Sequence, residues 1–381
     1  MKIHFADFRF NKITLIELIN FYKTIFWYKM NSLSKIFFTL LLIPIKIFSN
    51  GCDVNLITET SFNELNQFEI KKNIEWANPN GHSLTMDIYV PQTGKDSYPV
   101  LAIFHGGGWL INNNSVMDSM STYIVQHGDY IVCNINYRLL VDQSNTVTMN
   151  QIVEDAMGAV LWIKTHISNY KGNPSKIILT GDSAGGHLAE MIVTAGTMLE
   201  SDGFNGESLG FNPTYIPEGK TAEDVAADNL LEVQAAILSY PAFDIYEACL
   251  SGMEKPSNIF WMLAQGNPRG IFGNDFNVEE NSELYKAVST NYLLKDKSEM
   301  TYPPHLFLVG TNDNLTTPLS IKKYISQLEE KGHTAEYWEH EGRPHAFLDS
   351  WKNQFLGTEF RKDAPPALDR MLEFMNNLFW D

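Results

Sequence analysis

The sequence predicts an α/β fold: a mostly parallel central sheet with helices on both faces and a lid built from insertions. Three observations predict it. From about residue 100 onward, short apolar runs alternate with amphipathic stretches, the pattern of strands joined by crossover helices. Gly181-Asp182-Ser183-Ala184-Gly185-Gly186 stands between an apolar run and a helix-like stretch. Such an abrupt strand-to-helix turn needs small neighbours, because a Cβ at Gly181 or Gly185 would collide with adjacent backbone. A second glycine-rich turn, His105-Gly106-Gly107-Gly108-Trp109, follows the apolar run at 100–104.

The elements follow in order. Residues 67–76 and 82–90 read as two strands, joined by Asn78-Pro79-Asn80-Gly81, whose Asn-Gly pair signals a hairpin. A strand at 100–104, a helix near 115–127, a strand at 130–136, a helix at 148–168 and a strand at 176–180 continue the alternation. The long helix carries Ile152, Val153, Ala156, Ala159, Val160 and Ile163 at helical spacing, so it presents one apolar stripe to a core. Strands at 233–239, 304–309 and 335–338 and a closing helix at 367–380 complete the pattern. Stretches 198–231 and 245–302 are far longer than ordinary connections. Ligands of open parallel sheets sit outside the carboxyl ends of the strands, so both stretches are expected to roof a pocket there. The second, with Phe260, Trp261, Phe272 and Phe276, is the expected lid.

Bulk composition narrows the partners. The chain of 381 residues carries 45 acidic against 28 basic side chains, a net charge of −17, and no run of lysine and arginine that could neutralise phosphates, which excludes nucleic acid. An apolar content of 44% is ample for a large core. Residues 1–51 read as a leader: Lys35 precedes an apolar run at 36–45, followed by Ser49, Gly51 and Cys52. That run is shorter than a membrane-spanning helix and resembles a secretory signal, with translation starting at Met1 or at Met30. Export follows as the expectation, to a secreted, periplasmic or surface-lipoprotein destination; the leader itself, with an amphipathic anchor helix as its alternative reading, or a lipid anchor at Cys52 would be the chain's membrane attachment. Residues 52–66 read as a short linker and 67–381 as one catalytic domain. Cys133 is expected as a small core residue and Cys249 lies far downstream, with a disulfide between them as the alternative.

The turn at Ser183 points to nucleophilic chemistry. A serine hydroxyl needs a histidine base, and the histidine needs an acid to hold its tautomer. On a strand-turn-helix scaffold of this kind the chain order is serine, acid, histidine. Asp313 follows the strand at 304–309 and His345 follows the strand at 335–338, which satisfies the order. Among rivals, His340 lies closer to its strand, His333 sits at the wrong end of it, His187 is expected to pack on the helix after Ser183, and His105 to order the glycine turn. Asp275, Glu283 and Asp296 read as solvated lid charges, and Asp182 as pointing away around the turn. The N–H groups of Gly106, Gly107 and Ala184 are the expected oxyanion donors. Trp109 either walls the pocket or packs. No metal-ligand spacing and no dinucleotide-binding glycine pattern occurs, so neither metal nor cofactor is expected.

Together, His105 to Trp109, Asn136-Tyr137-Arg138-Leu139, Gly181 to Gly186, Asp313 and Gly342 to Phe347 resemble the hormone-sensitive-lipase-like branch of the α/β-hydrolases, from about residue 67 to the C-terminus. The resemblance implies a carboxylesterase with Ser183 as nucleophile, His345 as base and acid and Asp313 as its orienter, and structural roles for Arg138 and Asp155. Leu140-Val141-Asp142 departs from the Ala-Pro-Glu usual in that branch, and little chain is left for an N-terminal helical cap. The expected substrates are small short-chain or acetyl esters, including acylated carbohydrates. An arylformamidase or amidase with the same triad, and an inactive recognition module, are the alternatives.

Overall fold

A computed structural model describes residues 65–205 and 208–380; the expected leader, Met30 and Cys52 lie outside the described residues. The principal strands are β1 (Phe68–Ala77), β2 (Leu84–Pro91), β3 (Tyr98–Phe104), β4 (Ile131–Ile135), β5 (Gly172–Asp182), β6 (Ala235–Ser239), β7 (His305–Gly310) and β8 (Ala335–His340). They form one eight-stranded sheet in the order β1-β2-β4-β3-β5-β6-β7-β8. The hairpin β1–β2 is antiparallel and β2 joins β4 antiparallel; from β4 to β8 every pairing is parallel. The expected fold class is therefore observed.

Burial explains the strand sequences. Every residue of β3 is buried, because helices cover both faces of the sheet centre and an unbroken apolar run is required there. The edge strands β1 and β8 instead alternate partly buried with exposed residues, and their exposed charges discourage pairing with another chain. Asn80 (φ 53°) and Gly81 (φ 83°) take the left-handed conformations of the β1–β2 turn, as the Asn-Gly pair led one to expect.

Five long helices cross over the sheet: α1 (Asp118–His127), α2 (Met149–His166), α3 (Ala184–Ala195), α4 (Pro318–Glu330) and α5 (Pro365–Phe379). At the start of α2, Gln151 Oε1 accepts the backbone N–H of Thr148 at 3.0 Å, satisfying a donor that the first turn leaves free. The predicted apolar stripe of α2 is fully buried. Arg138 grips Asp155 of this helix through Nε at 2.8 Å and Nη2 at 2.6 Å, both groups buried, which ties the chain after β4 to α2. Helix α4 is not among the elements read from the sequence, although Thr317 caps it by accepting Ser320 N–H at 3.2 Å and Pro318 occupies its first turn.

One expectation is corrected. The described residues of 198–231 do not line the cavity at the carboxyl edge. They leave the far end of α3, and a helix that starts at the carboxyl edge has by then run back to the amino edge. Instead they cover α2: Thr214 N–H donates to Glu154 O at 3.0 Å, and a Cβ on Gly158 would stand 2.6 Å from Tyr215 N. Cys133 and Cys249 are both free, buried thiols. Among the described residues no helix is long and apolar enough to cross a membrane.

Candidate active site

Strand β5 ends at Asp182 and α3 begins at Ala184, leaving Ser183 alone at the corner with φ 52° and ψ −115°. A non-glycine residue there costs on the order of 1–3 kcal/mol and persists only when its surroundings impose it. They do so through backbone bonds: Ser183 N–H donates to Ser239 O at 2.9 Å, and Ser183 O accepts His187 N–H at 3.1 Å. The glycine requirement is equally direct. A Cβ on Gly181 would lie 2.3 Å from Gly185 backbone, and one on Gly185 would lie 2.0 Å from Phe104 O.

Asp313 and His345 arrive from the loops after β7 and β8, at the same sheet edge. His345 Nδ1 lies 2.7 Å from Asp313 Oδ2. A carboxylate only accepts, so Nδ1 carries the hydrogen and Nε2 keeps its lone pair. Asp313 Oδ1 is held in turn by the N–H groups of Leu315 and Thr316 at 2.8 and 2.9 Å. Both side chains are buried, and Tyr240 packs edge-on against the imidazole with ring centroids 4.7 Å apart.

The rival residues are occupied elsewhere. His340 is the last residue of β8 and its Nε2 meets Asp363 O at 2.7 Å; burial lowers its pKa. His333 binds Lys295 O at 3.0 Å. His187 accepts the Trp109 indole N–H at 3.2 Å on Nδ1 and donates from Nε2 to Val288 O at 2.8 Å; burial pushes it down to about 4, so it stays neutral. His105 donates from Nδ1 to Gly106 O at 2.8 Å, stacks on Tyr137, and is also pushed down to about 4 by burial. Asp275, Glu283 and Asp296 are exposed.

The oxyanion assignment needs a correction. Gly106 N–H donates to Asp182 Oδ1 at 2.6 Å, so it is not available to a substrate oxygen. Its carbonyl is also engaged, by His105 and by Asn112 Nδ2 at 3.3 Å. Gly106 is therefore the residue that anchors the turn. The N–H groups of Gly107 and Gly108 have no protein acceptor among the described residues. Ala184 N–H belongs to the first turn of α3, where such donors have no intrahelical partner. Ala184, Gly107 and Gly108 are the donors this geometry offers. Gly108 was legible as the third glycine of the run; only the Asp182 carboxylate reveals which glycine is spent on structure.

A cavity of about 360 Å³ opens onto Ser183. Gly108, Trp109, Ala242, Met253, Phe260 and Leu315 supply much of its wall, and no charged side chain lines it. Residues 248–260 contribute several positions, while none of the described residues of 198–231 does. Trp109 lines the cavity and is 5% exposed, packed against His187. A second cavity, also about 360 Å³, lies at the amino edge between Ile192, Leu231 and Tyr302 and contains none of the candidate residues. Among the described residues no group of His, Cys, Asp and Glu could hold a metal ion.

Residues 86–325 match the family model described as BD-FAE. The chain belongs to the BD-FAE family. Its fold is that of the α/β-hydrolases: this BD-FAE chain superposes on the apo form of Thermogutta terrifontis esterase 2 with a TM-score of 0.57 at 21% identity, over 82% of this chain and 95% of that one. Among curated relatives, a probable isoprenylcysteine α-carbonyl methylesterase of Oryza sativa subsp. japonica is 22% identical over 77% of this chain and 60% of its own length. The carboxylesterase NlhH of Mycobacterium tuberculosis is 28% identical over 42% of this chain and 47% of its own. The BD-FAE chain thus spans about half to three-fifths of the curated relatives it matches.

Proposed function

We propose that this protein is a serine hydrolase of carboxylic esters with short acyl chains. The observation that carries the reading is the 2.7 Å Asp313–His345 pair at the sheet edge where Ser183 is held at the elbow. In the reaction, Ser183 Oγ attacks the ester carbonyl carbon and passes its proton to His345 Nε2. The carbonyl oxygen becomes an oxyanion facing the N–H groups of Ala184, Gly107 and Gly108. Collapse of the tetrahedral intermediate expels the alcohol, which takes the proton from His345. Water then attacks the acyl-serine and gives its proton to His345, which returns it to Ser183 Oγ as the acid is released. Each backbone donor is worth about 3 kcal/mol of transition-state stabilisation.

The uncharged wall favours neutral substrates, and about 360 Å³ suits small ones. Structures of the related Thermogutta terrifontis esterase bound to butyrate and to propionate support a short acyl chain, and its form phosphorylated by paraoxon supports reactivity toward organophosphorus probes. Acylated carbohydrate is the natural substrate we favour, consistent with export through the leader; mass analysis of protein recovered outside the cell reads cleavage and any lipid on Cys52. The decisive experiment treats wild type and Ser183→Ala with a fluorophosphonate probe and assays p-nitrophenyl acetate. Wild type should label and turn over, and the variant should do neither. An unlabelled, inactive wild type would overturn the esterase reading; labelling that persists in the variant would remove Ser183 as nucleophile.

A further inference from the structure

Thr316 sits three residues beyond Asp313, and its hydroxyl stands at the junction of three loops. Oγ1 is 2.8 Å from Tyr240 O, 3.1 Å from Asp313 Oδ2 and 3.1 Å from His345 Nδ1. Those partners follow β6, β7 and β8 respectively. The residue also lines the Ser183 cavity. A hydroxyl has one proton and two lone pairs, which limits what this oxygen can do. Tyr240 O and Asp313 Oδ2 are both pure acceptors, and the shorter contact, to Tyr240 O, takes the proton. The lone pairs then face the Nδ1–H of His345, which is shared between Asp313 Oδ2 and Thr316 Oγ1.

Resting on the esterase reading, we propose that Thr316 is a positioning residue for His345: its oxygen, oriented by the carbonyl of Tyr240, acts as a second acceptor for Nδ1–H. Two consequences follow from the geometry. The imidazole is held in the tautomer that leaves Nε2 free for the serine proton, and its ring is fixed from two directions instead of one. The imidazolium formed during reaction gains an extra acceptor, so the charged state is favoured over what Asp313 alone would provide. Valine at this position would keep the shape of the side chain and remove the oxygen.

The test compares Thr316→Val and Thr316→Ser with wild type on p-nitrophenyl acetate across pH, with thermal unfolding in parallel. Thr316→Val should lower kcat by about 10-fold, the size expected when a charged group loses one hydrogen bond, with KM unchanged. The acidic limb of its pH–rate profile should move to lower pH, because the imidazolium has lost an acceptor. Thr316→Ser should restore both. A Thr316→Val enzyme with wild-type kcat and pH profile overturns the proposal, as does a Thr316→Ser enzyme impaired as much as Thr316→Val. If Thr316→Val folds poorly, the Thr316→Ser and Thr316→Ala pair, which differs by the hydroxyl alone, decides on the same readouts. Failure of the esterase reading is separately visible, since wild type itself would then neither label with the fluorophosphonate nor turn over.

Discussion

Ser183 keeps φ 52° because its neighbours leave no alternative, and the clearest consequences concern single side chains. Gly185→Ala would bring a Cβ to 2.0 Å from Phe104 O, a backbone atom that cannot yield; loss of more than about 3 kcal/mol is expected, read as a lowered midpoint in urea. Wild-type stability in that variant would show the elbow to be looser than its contacts imply. His345→Ala should reduce turnover by at least about 10³-fold. His340→Ala should retain turnover and lose only about 1 kcal/mol for one hydrogen bond; the reverse pattern would move the base to His340. Ser183, Asp313 and His345 are legible as candidates from chain order and strand position, because each follows a strand. Gly106 could not be separated from Gly108 in that way. Its N–H is taken by Asp182, a contact between loops 76 positions apart that no local pattern encodes. Thr316 left no signal, since a lone threonine after an acid is ordinary until the loops meet.

The segments that carry these residues differ in how well their role could be anticipated. The strand–turn–helix at β5–α3 announces itself because its glycines serve both the turn and the close packing of strand on helix. Of residues 245–302, positions between Ala248 and Phe260 line the cavity, and the anchoring of the stretch is visible. Arg269 donates to Asn145 O at 2.7 Å, Leu140 O at 2.9 Å and Val147 O at 2.5 Å, clasping the loop that follows Leu139. Arg269→Ala should raise KM for p-nitrophenyl acetate and lower stability by about 1–3 kcal/mol through orphaned carbonyls; an unchanged KM would mean the lid holds its place without this clasp. Within the lid, Phe260 packs over the glycine-rich turn, its ring 3.4 Å from the position a Cβ on Gly108 would take. Phe260→Ala should enlarge the pocket and shift preference toward longer acyl esters, measured as kcat/KM over a p-nitrophenyl ester series. An identical series in the variant would take Phe260 out of the acyl site. Residues 198–231 were misplaced because length marks an excursion without telling which edge of the sheet it leaves.

Across the molecule, an excess of acid meets a large core, and a few carboxyls are trapped inside it. Burial pushes Asp349 up to about 7 and Glu154 up to about 7, and burial together with repulsion from Asp349 raises Asp182. A carboxyl raised in the folded state binds more protons there than in the unfolded chain, whose value is about 4. Its contribution is full below that value and is lost as pH climbs toward 7, so stability should fall between about pH 4 and 7. Asp349→Asn should flatten that decline and leave the protein about 1–3 kcal/mol more stable than wild type at pH 8, measured by urea unfolding at pH 5 and pH 8. Parallel pH dependence in the two proteins would acquit Asp349. Net charge, strand-helix alternation, the elbow and the order of Ser183, Asp313 and His345 along the chain are legible in the sequence itself, because periodicity, steric need and strand position write them there directly. Which N–H faces the substrate, which excursion roofs it, where Thr316 points and which acids lose their water arise where distant segments meet, because those outcomes depend on contacts made only after the sheet has assembled.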